Sequence, residues 1–398
     1  MLTPAEADTA IAARLALLPA EPCALERASG RVLREVVHAD LDQPPFDRVA
    51  MDGIAIAYGA FARGTRAFRI AGVAAAGAKP VALAGPADCL EVMTGAVLPP
   101  GADAVVPVED IEIAAGIATL GAAARVAPFV NVHRQASDAK AGATLLEPGA
   151  VLRGPELAIA ASAGATLLLV SREPRIAIIS TGDELVPPGT RPEPWQVRRS
   201  NAYGIAAALR GHGYQLLDDA HVPDDPAAIR AALEAELASH DVLILSGGVS
   251  AGRFDHVPAV LAELGVERVF HTVAQRPGKP LWFGVSSDGR AVFALPGNPV
   301  STLVCLTRYV VPALARMRGA KPAGPSFAPL LAGWESKHSL TAFLPVDRRE
   351  SGEPPGALIA HPTHGSGDFI ALAGTAGFVE LAPGRRWEPG SLAPLYTW

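Results

Sequence analysis

Three stretches of the chain close an apolar run with glycine and small polar residues. They are Thr181-Gly182-Asp183-Glu184 after RIAIIS, Ser246-Gly247-Gly248-Val249-Ser250 after DVLIL, and Pro296-Gly297-Asn298-Pro299-Val300-Ser301 after VFAL. Glycine removes the Cβ that would block a ligand from the backbone N–H groups, and in open α/β sheets ligands bind outside the carboxyl ends of the strands. The third segment also opens a helix, whose N-terminus favours phosphate or another oxyanion. Any one of these loops reads as a tight turn or a helix cap. Three of them at strand ends predict a binding cleft.

Asp183, Glu184, Asp224 and Asp255 fall in or near the same loops. Carboxylates gathered in one place repel each other unless a hard cation joins them, and Mg²⁺ held partly through substrate phosphates suits such a set. Asp224 and Asp225, in VPDDPAAIR, read equally as helix N-caps, and Asp255, in SAGRFDHV, as a turn residue. Arg276-Pro277-Gly278-Lys279-Pro280 forms a rigid turn with two cations, suited to an anion. Met51-Asp52-Gly53 and Met93-Thr94-Gly95 read in isolation as hairpin turns. His361 and His364, with Asp368 nearby, are spaced i, i+3 on a loop, which by itself falls short of a metal site.

The elements that must position these residues follow from the patterning. From 171 to 320, fully apolar strands alternate with helical segments, including SNAYGIAAALRGHGY and AAIRAALEAELASH, which predicts a doubly wound α/β domain with a parallel sheet covered on both faces. Strands are expected at RIAIIS, DVLILS, Arg268 to Val273 and Ala291 to Leu295, and a helix from Pro299 to Met317. Residues 1–44 read as a helix and a short strand that pack with 141–170, forming one discontinuous N-terminal domain. Residues 45–140 interrupt it with short alternating runs typical of a β insert, and 321–398 read as a small C-terminal β domain.

Composition narrows the function classes. Of 398 residues, 49% are hydrophobic and 19% charged, with 39 Gly and 36 Pro, so the chain is turn-rich yet has ample material for several cores. The net charge is −6 and no dense basic run occurs, which argues against a nucleic-acid partner. Leu157 to Val170 reads as the likeliest apolar span and is too short and too interrupted to cross about 30 Å of hydrocarbon. Glu6 and Asp8 stand where a secretory signal carries positive charge, so a cytoplasmic protein is expected. Cys23, Cys89 and Cys305 are far apart and read as plain buried thiols.

The segments FDRVAMDGIAI, VMTGAVLPPGADAVV, SDAKAG, ISTGDEL, SNAYGI, VPDDP, LSGGVSAGRFD, RPGKP and LPGNPVS, in this order, make the chain resemble the MoeA family of molybdopterin molybdenumtransferases, shared with the C-terminal part of gephyrin. The resemblance implies a four-domain homodimer with a C-terminal β-barrel-like domain and an active cleft that the insert of the second protomer helps to line. It also implies the reaction: adenylylated molybdopterin and molybdate react with Mg²⁺ or a similar divalent ion, molybdenum goes onto the dithiolene, and AMP is released. Carried over by position, Glu184, Asp224 and Asp255 match functional acids of the α/β domain, with the same three as metal ligands. Asp52, Thr94 and Asp138 match catalytic residues of the insert, and Ser366 in HGSGD matches a family serine.

The chain departs from the family at several cations and acids. The first cation of the usual KPGKP is Arg276, Thr272 stands where many members carry another cation, and Thr341 in SLTAFLP stands where an Arg is common. Ser137 replaces an acid ahead of Asp138, and Arg199 replaces the Asp of a common DSN. The alternative is therefore a divergent paralogue that binds molybdopterin or its nucleotide as a carrier or docking module without inserting metal.

Overall fold

A computed structural model describes residues 1–248, 256–336, 338–349, 356–361 and 363–398. At its centre is a six-stranded sheet built from β1 (Ile176–Thr181), β2 (Leu217–Val222), β3 (Val242–Ser246), β4 (Glu267–His271), β5 (Trp282–Val285) and β6 (Ala291–Leu295), in the order β2-β1-β3-β6-β5-β4. The runs IAIIS and VLILS are buried along their whole length, so alternate residues feed two separate cores. Ile176, Ile178, Val242, Ile244 and Phe293 pack with the helices Asn201–Gly211 and Pro299–Cys305 and their neighbours on one face. Ala177, Ile179, Leu243, Leu245 and Val292 pack with Pro226–Ser239 and Val257–Glu263 on the other. A sheet sandwiched in this way carries its loops at the strand ends, where ligands have access.

The sheet is mixed, whereas the patterning predicts an all-parallel one. β1, β2, β3 and β6 are parallel, but β5 pairs antiparallel with both β6 and β4. The reason is length: segments 272–281 and 286–290 are too short for the crossover of a dozen or more residues that a parallel return requires. The RPGKP segment is therefore the turn of an antiparallel excursion, and the strand Trp282–Val285 was not legible as a separate element.

The N-terminal helix Pro4–Ala12 also differs from expectation. Thr3 caps it, accepting the Glu6 amide while the Glu6 carboxylate accepts the Thr3 amide, and Ala7 and Ile11 bury into the core of the central sheet. The helix thus packs on the α/β unit, while the chain after it crosses to the segment 141–170. There Ala20–Ala24 pairs antiparallel with Leu167–Ser171 and Val37–His38 with Thr144–Leu146, around Leu33, Leu152 and Val170.

The insert forms its own six-stranded sheet, in which Gly53–Ile56 lies between Ala104–Pro107 and Asp88–Val92. The C-terminal segment makes a sheet from Ser326–Pro329, Thr341–Arg348, Leu358–Ala360, Gly377–Leu381 and Leu392–Thr397. Its edge is continued by Gln275–Arg276, which pairs in parallel with Thr341–Ala342. The RPGKP turn therefore links two strands of the central sheet while its first residue, Arg276, pairs with the C-terminal one.

Among the described residues, the helical stretch long and apolar enough to cross a membrane is Pro299–Met317, not 157–170, and 72% of its apolar window is buried inside the fold. It is continuous as expected, with a π-helical turn at Leu306–Val310. All three cysteines are free and buried.

Candidate functional site

The predicted loops do meet at the carboxyl ends of the central strands. Gly247 and Gly248 turn sharply after β3 with φ of +100° and +67°. A Cβ on Gly247 would lie 2.8 Å from the Thr181 carbonyl oxygen, so only glycine lets this loop lie against the end of β1. Asn201 ties the loops together: its Nδ2 donates to Ser246 Oγ at 2.7 Å and to the Gly297 carbonyl at 2.8 Å. Asn201 was not among the singled-out binding residues, although its place at the start of a helix behind a basic segment was a usable signal.

Thr181, Gly182, Asp183 and Glu184 lead off β1, and Asp224 follows β2. Asp183 Oδ1 accepts the Asp224 amide at 3.1 Å, which locks the two loops together. The capping reading holds for Asp225, whose carboxylate accepts the Ala228 amide at 2.8 Å, and leaves Asp224 apart from that role. The carboxylates of Glu184 and Asp224 accept no hydrogen bond and form no ion pair among the described residues. Ser250 and Asp255 lie outside the described residues. Among those described, no group of three His, Cys, Asp or Glu side chains gathers to hold a metal. Glu184 and Asp224 leave two unengaged hard-oxygen donors beside the glycine-rich loops, a set of the kind a hard divalent cation takes when phosphates and water complete its shell.

The loop after β6 takes an unexpected partner. Asn298 Nδ2 donates to Ser366 Oγ at 2.8 Å and the Val300 amide donates to the Ser366 carbonyl at 3.1 Å. One orphan amide of this helix N-terminus, that of Val300, is therefore satisfied by the C-terminal unit and is not open to an oxyanion, which narrows the expectation that this segment's amides face a ligand. Pro296, Asn298, Ser301 and Ser366 instead line one wall of a cleft of about 950 Å³ between the α/β unit and the C-terminal sheet.

Arg276 and Lys279 project into the same cleft. Arg276 Nη1 lies 3.3 Å from His338 Nε2. No carboxylate lines it among the described residues, whereas Ser301, Ser336, Thr363 and Ser366 supply hydroxyls. The cavity thus combines two cations with several hydroxyls, a lining that suits an anion. His361 and His364 also face it but are held apart, His361 by Asp347 at 2.8 Å and His364 by Asp368 at 3.1 Å, so they do not form a common metal pair. Thr341 is buried at 7% exposure and its amide donates to the Ala274 carbonyl, so this position stabilises the shared sheet and adds no charge. Arg199 is held by both oxygens of Asp219, at 3.1 and 2.8 Å.

On the insert, Asp52 and Thr94 meet each other, whereas Asp138 is engaged separately by His133 and Ser137. Thr94 donates both its amide, at 2.7 Å, and its hydroxyl, at 2.8 Å, to Asp52 Oδ1. The Thr94 amide, and after it the hydroxyl, hold the Asp52 carboxyl below the usual carboxylate range. His133, at 2.8 Å, does the same for Asp138. Among the described residues, no hydrogen bond joins this set to the strand-end loops.

The same architecture occurs in known proteins. Residues 2–164 match the MoeA N-terminal region (domain I and II), and residues 177–316 match the probable molybdopterin binding domain. A molybdopterin molybdenumtransferase of Synechocystis is 42% identical over 373 residues, covering 93% of each chain. The chain belongs to the MoeA family. A second member, molybdopterin molybdenumtransferase 2 of Mycobacterium tuberculosis, is 35% identical over 74% of each chain. The crystal structure of the MoeA protein of Pyrococcus horikoshii superposes with a TM-score of 0.78 at 28% identity, covering 100% of this chain and 99% of that one. The MoeA N-terminal match takes in both the insert and the segments that flank it, and the molybdopterin-binding match takes in the strand-end loops and RPGKP.

Proposed function

We propose that this chain catalyses the metal-loading step of molybdenum cofactor biosynthesis. It takes adenylylated molybdopterin and molybdate, places molybdenum on the dithiolene, and releases AMP. The observation that carries this reading is the cleft of about 950 Å³, in which Arg276 and Lys279 face hydroxyls with no described carboxylate, beside glycine-rich strand-end loops. A pterin nucleotide and an oxyanion substrate are both anions, and this surface offers fixed cations and amides to both.

The chain's own residues divide the work. Gly247 and Gly248 let the nucleotide's phosphates approach the backbone, and Asn201 fixes the width of that approach. Arg276 and Lys279 receive the oxyanion, with Ser301 and Ser366 as hydroxyl donors. Glu184 and Asp224, with Asp255, hold a divalent cation such as Mg²⁺, which when bound neutralises charge on the pyrophosphate. Asp52, Thr94 and Asp138 come from the insert of a second copy, because within one chain none of them lines the cleft. The protein is accordingly proposed to be a homodimer.

The deciding experiment is AMP release from adenylylated molybdopterin with Mg²⁺, with and without molybdate, alongside molybdenum analysis of the pterin product. Molybdate-dependent release with metal on the pterin supports insertion. Binding with neither product supports the carrier reading, which the neutral Thr272 and Thr341 favour by thinning the cations around the cleft.

A further inference from the structure

Beneath the RPGKP turn lies a buried polar network that none of the residues discussed so far explains. Gln275 is fully buried, and its Nε2 donates to the carbonyl oxygens of Pro277 and Gly278, each at 3.2 Å, and lies 3.4 Å from Cys305 Sγ. Its Oε1 accepts the hydroxyl of Tyr309, which is 1% exposed. Carbonyl oxygens only accept, so the two carbonyls fix which end of the amide points into the turn, and Tyr309 must donate to the other end. Burial pushes the Tyr309 hydroxyl up and the Cys305 thiol up to about 12, so both keep their protons at neutral pH.

The arrangement is tight as well as polar. Gly278 has φ +90°, and a Cβ there would lie 2.6 Å from both Cys305 Sγ and Gln275 Nε2. Cys305 immediately precedes the π-helical turn Leu306–Val310 and Tyr309 lies within it, a local departure of the kind found at functional sites. Because the carbonyls of Pro277 and Gly278 are held inward, the exposed side of the turn carries Arg276 and Lys279 into the cleft.

We infer that Gln275, held by Tyr309, is a positioning residue that sets where Arg276 and Lys279 meet the oxyanion. This rests on the proposal that the cleft receives molybdate. Without the amide, the half-buried Pro277 carbonyl loses its donor and the Gly278 carbonyl keeps only the weaker Cys305 thiol at 3.7 Å, so the turn relaxes and the cations are displaced while the strand-end loops that hold the nucleotide are untouched.

The test is a cycle on the full-length protein, measuring kcat and KM for molybdate in AMP release for wild type, Gln275→Met, Lys279→Ala and the double variant, with unfolding temperatures recorded in parallel. Gln275→Met is expected to raise KM for molybdate about tenfold with kcat within about twofold, and to add less than this in the Lys279→Ala background, where Arg276 alone is left to displace. Tyr309→Phe, a milder change should Gln275→Met fail to fold, is expected to show the same pattern at smaller size. Independent, additive effects of Gln275 and Lys279, or a fall in kcat with KM unchanged, overturn the positioning role while leaving the oxyanion cleft in place. AMP release that ignores molybdate in the wild-type enzyme instead overturns the functional reading, and the positioning role with it.

Discussion

Thr94 donates its amide and its hydroxyl to the same oxygen of Asp52, so that carboxylate presents its other oxygen with no partner among the described residues. The pair joins two turns of the insert, each unremarkable when read alone. Two donors on one oxygen favour the ionised form, so Asp52 keeps its charge at lower pH than an ordinary carboxyl.

Thr94→Val removes one of those donors and leaves the amide. The Asp52 carboxyl then moves up toward the ordinary range, and protonation sets in at higher pH as acid is added. The expected result is an upward shift of the Asp52 titration followed by NMR, with the acid limb of AMP release moving the same way. An unmoved titration refutes the assignment of the Thr94 hydroxyl.

Glu184→Gln and Asp224→Asn are expected to reduce divalent-dependent AMP release by at least about tenfold while leaving the unfolding temperature within about 1 °C of wild type, since neither carboxylate holds a described partner. Unchanged turnover in both variants removes them from metal binding.

Arg308 is 7% exposed and joins Asp8 of the N-terminal helix, at 2.7 Å, to Glu380 of the C-terminal sheet, also at 2.7 Å. Arg308→Met leaves both carboxylates largely buried without their cation. We expect a loss of about 3 kcal/mol in urea unfolding. A loss below about 1 kcal/mol shows that the two acids find other partners.

Gly278→Ala forces a side chain into 2.6 Å contact with Cys305 and Gln275 at a backbone angle that other residues avoid. The expected cost is about 1–3 kcal/mol, read as a lower thermal midpoint, together with weaker molybdate use. A variant that melts like wild type shows that the turn can repack.

Much of this was legible before the structure. Apolar runs bounded by glycine located β1, β3 and β6, and the loops that follow them do converge. What escaped notice depended on partners distant in sequence. β5 reads as part of a longer loop because nothing local records that it pairs antiparallel with β6. The helix Pro4–Ala12 gives no hint that Ala7 and Ile11 enter a core assembled mainly from residues after 176. Gln275 and Tyr309 look like a polar residue before a turn and an aromatic in an apolar helix; only the fold places the tyrosine hydroxyl beneath that turn. The start of the helix at Pro299 is legible from the sequence, but the Val300 amide in its first turn is claimed by Ser366, a residue of another unit.

The parallel pairing of Gln275–Arg276 with Thr341–Ala342 has a mechanical consequence. Together with Asn298–Ser366 and the Asp8–Arg308–Glu380 bridge, it rivets the C-terminal unit to the α/β unit at three separate points. The gap between them has a set width, unlike a jaw that closes on its load. In the proposed homodimer, substrate enters by whichever side the second copy leaves open, and the proposed discrimination between oxyanions of different radius falls to this fixed gap rather than to a moving lid.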